Sequence, residues 1–231
     1  MIRSAMYALI FTVLAAPAVP AGGSSETSAA ESGDAVQATS EAEAPEETAE
    51  EAESEAVAQS GGEAEEEAGN ATEESLALLA DIGLQTSGDP AEAEDFELKQ
   101  LSSENTRTLS SYEGNVVLLN FWASWCPPCI EEMPSMQTLY EELNGENFEI
   151  VAVNLQEDPS TVEGFIEEHG FSFPVLLDRS GGTGRTFGVR GIPTSYIIGR
   201  DGRVLARKVG YHEWDGEDTV EAFRRMSRMN R

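Results

Sequence analysis

The chain has 231 residues, of which 43 are acidic and 14 are lysine or arginine, giving a formal net charge of −29 at pH 7. This balance argues against nucleic-acid binding, because phosphate binding needs clustered lysine and arginine. The acids are concentrated early: 22 of the 43 precede residue 96, where Arg3 is the only base. The chain's two cysteines could form half of a zinc site, but a complete site would need further ligands, and with no other cysteine and only His169 and His212 available this alternative is disfavoured.

The first 21 residues have the pattern of a secretory signal. Arg3 precedes a short apolar run, Ala5 to Ala16, and the small residues Ala18 and Ala21 suit cleavage. The run is short for a membrane-spanning helix, which needs roughly 20 residues, and no cysteine follows it that could carry a lipid. We predict a signal peptide over residues 1–21, with an uncleaved N-terminal anchor as the alternative. Either way the folded part would lie outside the cytoplasm, most simply in a bacterial periplasm, where disulfides persist.

Residues 22–94 are predicted to be a disordered acidic linker. Most of this stretch is Ala, Glu, Ser, Thr and Gly, and so few large apolar side chains cannot offset the entropy lost on ordering. We interpret it as a solvated spacer, with a docking arm for a basic partner as the alternative. A short helix is predicted over residues 73–82, because Leu76, Leu79 and Ile82 fall on one side of it.

Residues 95–231 are long enough for one domain with its own core. A hairpin over Phe96 to Leu109 comes first, followed by a buried strand, Val116 to Phe121, and a helix from Pro127 to about Leu143. The strand-helix pattern then repeats, which predicts a right-handed crossover with parallel pairing. A second hairpin turns at Asp201-Gly202, and an amphipathic helix closes the domain. The sequence therefore predicts an α/β domain, a mixed sheet with helices on both faces.

The only two cysteines lie in Trp125-Cys126-Pro127-Pro128-Cys129, directly after the buried strand and at the start of a helix. Two thiols in this spacing can close into a disulfide and reopen, and the helix N-terminus favours the thiolate that attacks. We predict a redox function in which Cys126 is the exposed nucleophile, Cys129 resolves the mixed disulfide, and Trp125 frames the nucleophile. A static structural disulfide is the alternative, but a loop this short stabilises little.

Other motifs give no competing function. Gly181-Gly182-x-Gly184 lacks the Lys-Ser/Thr pair of a phosphate-binding loop, so we predict a flexible turn there. Neither His169 nor His212 has an acid and a nucleophile nearby in the sequence, so hydrolase chemistry has no support.

The run from Phe121 to Cys129, Pro134 inside the following helix, and Gly191-Ile192-Pro193-Thr194 before a later strand together resemble the thioredoxin fold. More narrowly, about residues 95–231 are similar to the TlpA/ResA-type thiol-disulfide oxidoreductases. The resemblance implies a thioredoxin fold with an N-terminal β-hairpin and an inserted strand-helix unit. We expect neither a cofactor nor a bound metal.

The resemblance also implies roles for site residues. The TlpA/ResA branch carries an acid one helical turn past the second cysteine, here Glu132, which could take the proton from Cys129. The alternative is that Glu131 and Glu132 are both simply first-turn acids that complement the helix N-terminus. Pro193 is expected to follow a cis peptide bond beside Cys126, leaving the Ile192 backbone free to pair with an extended substrate segment.

Two positions depart from related patterns. Asn120 stands where cytoplasmic thioredoxins have a buried aspartate in the strand before the cysteines. Thr194 stands where the branch dedicated to cytochrome c maturation typically has an acid directly after the cis-proline, which weakens assignment to that pathway.

We therefore predict a periplasmic thiol-disulfide oxidoreductase that reduces client disulfides through its CPPC dithiol, with the N-terminus as a tether to the inner membrane if it is uncleaved. Apocytochrome c and copper-site proteins are the candidate clients, and a membrane thiol reductase is the expected electron donor. The alternatives are a disulfide isomerase or oxidase, and a copper metallochaperone that uses the same two thiols.

Overall fold

The computed structural model describes residues 69–229. The predicted signal or anchor over residues 1–21, and the part of the predicted linker before residue 69, lie outside the described residues. Within residues 69–229, no helix is both long enough and apolar enough to cross a membrane.

The described residues form eight strands and five α-helices. The strands are β1 (Gln85–Thr86), β2 (Glu97–Gln100), β3 (Thr106–Thr108), β4 (Val116–Trp122), β5 (Phe148–Leu155), β6 (Val175–Asp178), β7 (Thr194–Ile198) and β8 (Val204–Val209). The helices are α1 (residues 69–81), α2 (Pro127–Glu142), α3 (Pro159–His169), α4 (Gly182–Thr186) and α5 (Glu217–Arg228), and a 3-10 turn spans Ser110–Tyr112.

All eight strands belong to one mixed sheet in the order β1-β8-β7-β4-β5-β6-β2-β3. β4, β5 and β6 pair in parallel through the crossover helices α2 and α3, and β7 and β8 add antiparallel strands beside β4. The β2–β3 hairpin extends the other edge by pairing with β6. The prediction of a mixed sheet with an N-terminal hairpin is confirmed.

The central strand β4 is buried at all seven positions, as its uninterrupted apolar sequence predicts for a strand covered on both faces. Alternate side chains of a strand point to opposite faces. Leu118 and Trp122 accordingly join one core cluster, with α2 and α5, while Leu119 and Phe121 join the other, with the 3-10 turn and the β2–β3 hairpin. Asn120, midway between Leu118 and Trp122, is thereby placed on the face that α2 covers.

The predicted domain boundary at residue 95 was too late. α1 packs its fully buried Leu79 into the core, and β1 pairs with β8. Leu84, between the two elements, is also buried and donates its backbone N–H to the carbonyl of Leu79. The linker prediction rested on a shortage of apolar side chains across the whole stretch, but a few well-spaced leucines are enough to dock one helix on an existing core.

The prediction of a flexible turn at the glycine-rich segment was also wrong, because the short helix α4 forms there. The buried carboxylate of Asp178, at the end of β6, accepts the backbone N–H groups of Gly182 and Gly184, each at 2.9 Å. An acidic acceptor at a helix N-terminus satisfies N–H groups that the helix leaves unpaired. Asp178 therefore stabilises the start of α4, a helix that the glycine content did not predict.

Candidate active site

The two cysteines lie where the central strand gives way to α2. β4 ends at Trp122, Cys126 immediately precedes α2, and Pro127 and Pro128 are the first helical residues. Proline suits these positions because the first turn of a helix leaves its N–H groups unpaired. Cys126 and Cys129 form a disulfide with their Cα atoms 5.3 Å apart. The structure therefore holds the oxidised form of the predicted dithiol.

The prediction that Cys126 is exposed was wrong for this oxidised form. Cys126 is 3% exposed and Cys129 is 0% exposed. The Cys126 sulfur is bonded to Cys129 on one side, and the carbonyl oxygen of Ile192 lies 3.6 Å from it. The neighbouring side chain that does reach solvent is Trp125, which is 68% exposed. Little of the disulfide is exposed to solvent, and the exposed Trp125 immediately precedes Cys126 in the chain.

The peptide bond between Ile192 and Pro193 is cis, which confirms the prediction. The segment is held from both sides: Gly210 donates its N–H to the Pro193 carbonyl at 2.8 Å, and the Thr194 hydroxyl donates to the Gly191 carbonyl at 2.7 Å. Thr194 is buried and uses its hydroxyl on the backbone. The position that carries an acid in the cytochrome-c-maturation branch is therefore structural in this chain.

Glu132 lies one helical turn beyond Cys129 on α2, and the two side chains are on the same buried face. Residues three apart on a helix are neighbours, and Glu132 is only 1% exposed. Its neighbour Glu131, by contrast, is exposed. The alternative that both acids simply complement the helix N-terminus in solvent does not fit the burial of Glu132.

Burial raises the pKa of Glu132 from 4.5 to about 7, because the charged carboxylate loses its hydration. Four groups act in the opposite direction: the Asn120 side chain first, then the His212 backbone N–H, the Trp214 side chain and the charge of Lys208. The balance leaves a carboxyl group that changes protonation near neutral pH. Such a group is matched to accepting a proton from a thiol.

Asn120 holds the Glu132 carboxylate from the sheet side. Its Nδ2 donates to Glu132 Oε1 at 2.7 Å and to Ser195 Oγ at 2.9 Å. Ser195 lies opposite Asn120 in the β4–β7 pairing, so the two strands deliver the pair together. From the sequence, Asn120 was predicted only as a departure from the thioredoxin pattern, and Ser195, 75 residues away in the chain, was not predicted at the site.

The loop between β8 and α5 covers Glu132 from the other side. The His212 backbone N–H donates to Glu132 Oε2 at 3.3 Å, and the Trp214 backbone N–H donates to Ser135 Oγ at 3.1 Å. Burial and the charge of Lys208 lower the pKa of the His212 side chain, which keeps it neutral at pH 7. No local signal links this loop to residues some 80 positions earlier, and the sequence analysis missed the contact.

Glu157 fixes the turn that leads into the cysteines. Its carboxylate accepts the Ser124 N–H at 2.7 Å, the Ser124 hydroxyl at 2.5 Å and the Asn154 side-chain amide at 2.6 Å. Because β4 and β5 run in parallel, the residues that follow them meet at the same edge of the sheet. Glu157 could therefore have been predicted near the cysteines from the parallel pairing of β4 and β5, but it was not among the predicted site residues.

The exposed large hydrophobic side chains of the described residues all come from segments next to the disulfide. They are Trp125, Val209 and Tyr211. Val209 pairs with Thr194, directly after the cis-proline, and Tyr211 follows two residues later. An apolar patch left in solvent at such a place is typical of a protein contact surface. We refer to these three residues as the apolar patch.

The described residues offer no group of three or more His, Cys, Asp and Glu side chains that could hold a metal ion.

Comparison with known proteins gives a consistent result. Residues 86–223 match the Redoxin family. The chain is 44% identical over 115 residues to the thiol-disulfide oxidoreductase ResA of Oceanobacillus iheyensis, covering 48% of this chain and 60% of that protein. It is 37% identical over 131 residues to the ResA of Halalkalibacterium halodurans, covering 57% of this chain and 73% of that protein.

Among solved structures, a putative thiol:disulfide interchange protein DsbE from Chlorobium tepidum is similar to this chain at 36% sequence identity, with a TM-score of 0.54. The match covers 59% of this chain and 99% of that one. The Redoxin match, residues 86–223, includes both cysteines.

Proposed function

Because the chain belongs to the Redoxin family and, within it, to the ResA/TlpA-type thioredoxin-like thiol-disulfide oxidoreductases, we propose that it reduces disulfides of client proteins outside the cytoplasm. The observation that carries the proposal is the Cys126–Cys129 disulfide at the N-terminus of α2, next to the cis-proline segment. These two sulfurs exchange two electrons with a client.

The reaction starts from the reduced dithiol. The Cys126 thiolate, favoured by the N-terminus of α2, attacks one sulfur of the client disulfide; the client S–S bond breaks and one client thiolate leaves. Cys129 then loses its proton, and its thiolate attacks the Cys126 sulfur of the mixed disulfide. The second client thiolate leaves and the Cys126–Cys129 disulfide forms. The client gains two electrons and two protons, and the protein ends in the oxidised form that the structure describes.

Glu132 accepts the proton that Cys129 gives up in the second attack. It is one turn away on the same buried face of α2, and its pKa of about 7 lets it take a proton near neutral pH. Asn120 and the His212 backbone N–H orient its two oxygens.

The client binds across the apolar patch and the cis-proline segment. Trp125 offers the largest exposed ring beside Cys126, and the Ile192 backbone pairs with an extended client segment. Pro193, which follows the cis peptide bond, forms one side of this binding surface.

The N-terminal signal pattern supports a periplasmic location with a membrane tether if uncleaved. A membrane thiol reductase then restores the dithiol after each cycle. Apocytochrome c and copper-site proteins are the candidate clients, and the threonine at position 194 makes cytochrome c the weaker of the two.

Trapping the mixed disulfide tests the proposal. Reduced wild-type protein should reduce insulin disulfides, and Cys126→Ser should lose this activity. Cys129→Ser should instead accumulate a covalent complex with insulin that dithiothreitol releases, because the resolving thiol is gone. Insulin reduction that survives in Cys126→Ser, or no complex with Cys129→Ser, would contradict the proposed roles.

A further inference from the structure

The Trp214 side chain is buried in the loop that covers Glu132. Trp214 is 0% exposed, and its indole Nε1–H has no hydrogen-bond acceptor among residues 69–229. Buried N–H groups nearly always find a partner, because an unpaired one loses its hydration without compensation. We therefore expect a hydrogen-bond acceptor close to the indole N–H of Trp214.

The Glu132 carboxylate is that neighbour. The loop that carries Trp214 contacts this carboxylate directly, because the His212 backbone N–H donates to Glu132 Oε2, and the Trp214 side chain is among the groups that lower the pKa of Glu132. The backbone of the same residue is anchored to the same turn of α2: Trp214 N–H donates to Ser135 Oγ, and Ser135 Oγ donates to the Glu132 carbonyl at 2.8 Å.

We propose that Trp214 is a positioning residue for Glu132, and that its indole N–H donates to the carboxylate whenever Glu132 carries its negative charge. The inference rests on the proposed role of Glu132 as proton acceptor for Cys129. A donor on the carboxylate orients it and favours its charged form, so the indole helps to keep Glu132 ready for the proton. When the proton arrives, the carboxyl group no longer needs this donor.

Other charged and titratable groups lie near Glu132, and the experiment must distinguish their titration from that of Glu132. Lys208 on β8 favours the carboxylate. The neutral His212 ring packs edge-on against the Trp214 ring with centroids 4.5 Å apart. Loss of hydration raises the pKa of Tyr211, and the charges of Glu213, Glu131, Asp215 and Glu132 raise it further. Cys129 is the thiol partner on α2. His212 is the group whose titration could be mistaken for that of Glu132, because it touches the indole.

The first measurement follows the indole itself in full-length protein with its disulfide intact. The 1H–15N indole resonances of the three tryptophans are recorded against pH and assigned with Trp122→Phe and Trp125→Phe. We expect the Trp214 signal to shift with a midpoint near 7, to lose that transition in Glu132→Gln and to keep it in His212→Gln. A transition that persists in Glu132→Gln, or disappears in His212→Gln, would overturn the inference. This measurement needs no substitution of Trp214.

The second measurement isolates the indole N–H. The alkylation rate of Cys129 is measured against pH in a Cys126→Ser background, with and without Trp214→Phe. Loss of the donor should raise the pKa of Glu132, so the Glu132-dependent part of the alkylation rate profile should move to higher pH by about one unit. Alkylation at pH 7 should then be about fivefold slower. Trp122→Phe is the matched control: Trp122 is equally buried, its indole N–H also lacks a partner among the described residues, and it packs on Phe165 instead.

The outcomes separate the two claims. Equal profiles with and without Trp214→Phe, or an equal shift in Trp122→Phe, would refute the role of Trp214 and leave Glu132 untouched. A Glu132→Gln profile with no change in the limb near pH 7 would refute the role of Glu132, whatever the indole resonance shows.

Discussion

At the scale of single residues, the site depends on a carboxyl group that the fold makes costly to ionise. Glu132 is buried on α2, and the groups that favour its charged form offset only part of the lost hydration. In the proposed role of Glu132, the protein gives up stability at neutral pH to keep a proton acceptor next to Cys129. Strained or desolvated groups of this kind are common at functional sites.

This cost has a definite pH dependence. The folded-state pKa of Glu132, about 7, lies above its ordinary value of 4.5, so the folded protein holds the proton more tightly than the unfolded chain. The associated stability is fully present below about pH 4.5 and is lost as the pH rises to about 7. Relative to wild type, Glu132→Gln should therefore gain about 2–3 kcal/mol in free energy of unfolding between pH 4.5 and pH 8. Urea unfolding of the oxidised proteins at both pH values measures this difference; a constant difference would contradict the raised pKa.

Glu157 makes a different prediction at the same scale. Its carboxylate accepts three hydrogen bonds that fix Ser124 and Asn154, and so hold the turn before Cys126. Replacing Glu157 with Gln removes the charge-assisted acceptor and should slow insulin reduction about tenfold, because hydrogen bonds to charged groups are worth roughly 1.5–3 kcal/mol. Glu167→Gln, at an exposed position on α3, is the matched control and should behave as wild type. Equal rates for the two variants would show that the turn does not need Glu157.

At the scale of elements, each part of the site comes from a different piece of the fold. Asn120 lies on β4, Cys126 lies immediately before α2, and Cys129 and Glu132 lie on α2. The loop after β8 covers the Glu132 carboxylate. β4 and α2 are adjacent in the chain, but the loop after β8 is some 80 residues further on. The sheet order places β7 and β8 beside β4, and this order is what brings the loop to the site.

α1 is the element whose role differs most from the sequence prediction. It follows the acidic stretch directly, and Leu79 inserts into the core while Glu74 forms an ion pair with Arg225 of α5. Since exposed ion pairs contribute little, Leu79 should dominate the docking. Leu79→Ala should lower the free energy of unfolding by about 2–4 kcal/mol, and Leu78→Ala, at a half-buried position, should lower it by less. If chemical denaturation shows equal effects, α1 is not docked through Leu79.

At the scale of the whole molecule, local sequence patterns predicted the framework well. The apolar run of β4, the CPPC motif at a helix start, Pro134 inside α2 and the Asp201-Gly202 turn are all local signals, and they were sufficient for the mixed sheet and the disulfide. What they could not supply was contact between distant segments. Ser195, His212 and Trp214 reach the site through sheet order and loop packing, which no short pattern encodes, whereas the parallel pairing of β4 and β5 was an available signal for Glu157. The docking of α1 was missed for a related reason, because composition averages over a stretch in which only a few leucines matter.

The central claim, that the protein delivers electrons to its clients, concerns the Cys126–Cys129 pair as part of the whole fold. Its reduction potential can be measured by equilibration of the full chain with a glutathione or dithiothreitol redox buffer. A reductant should have a potential near that of thioredoxin, about −270 mV. A potential near −120 mV, that of a strong disulfide oxidant, would contradict the account and reverse the direction of electron flow.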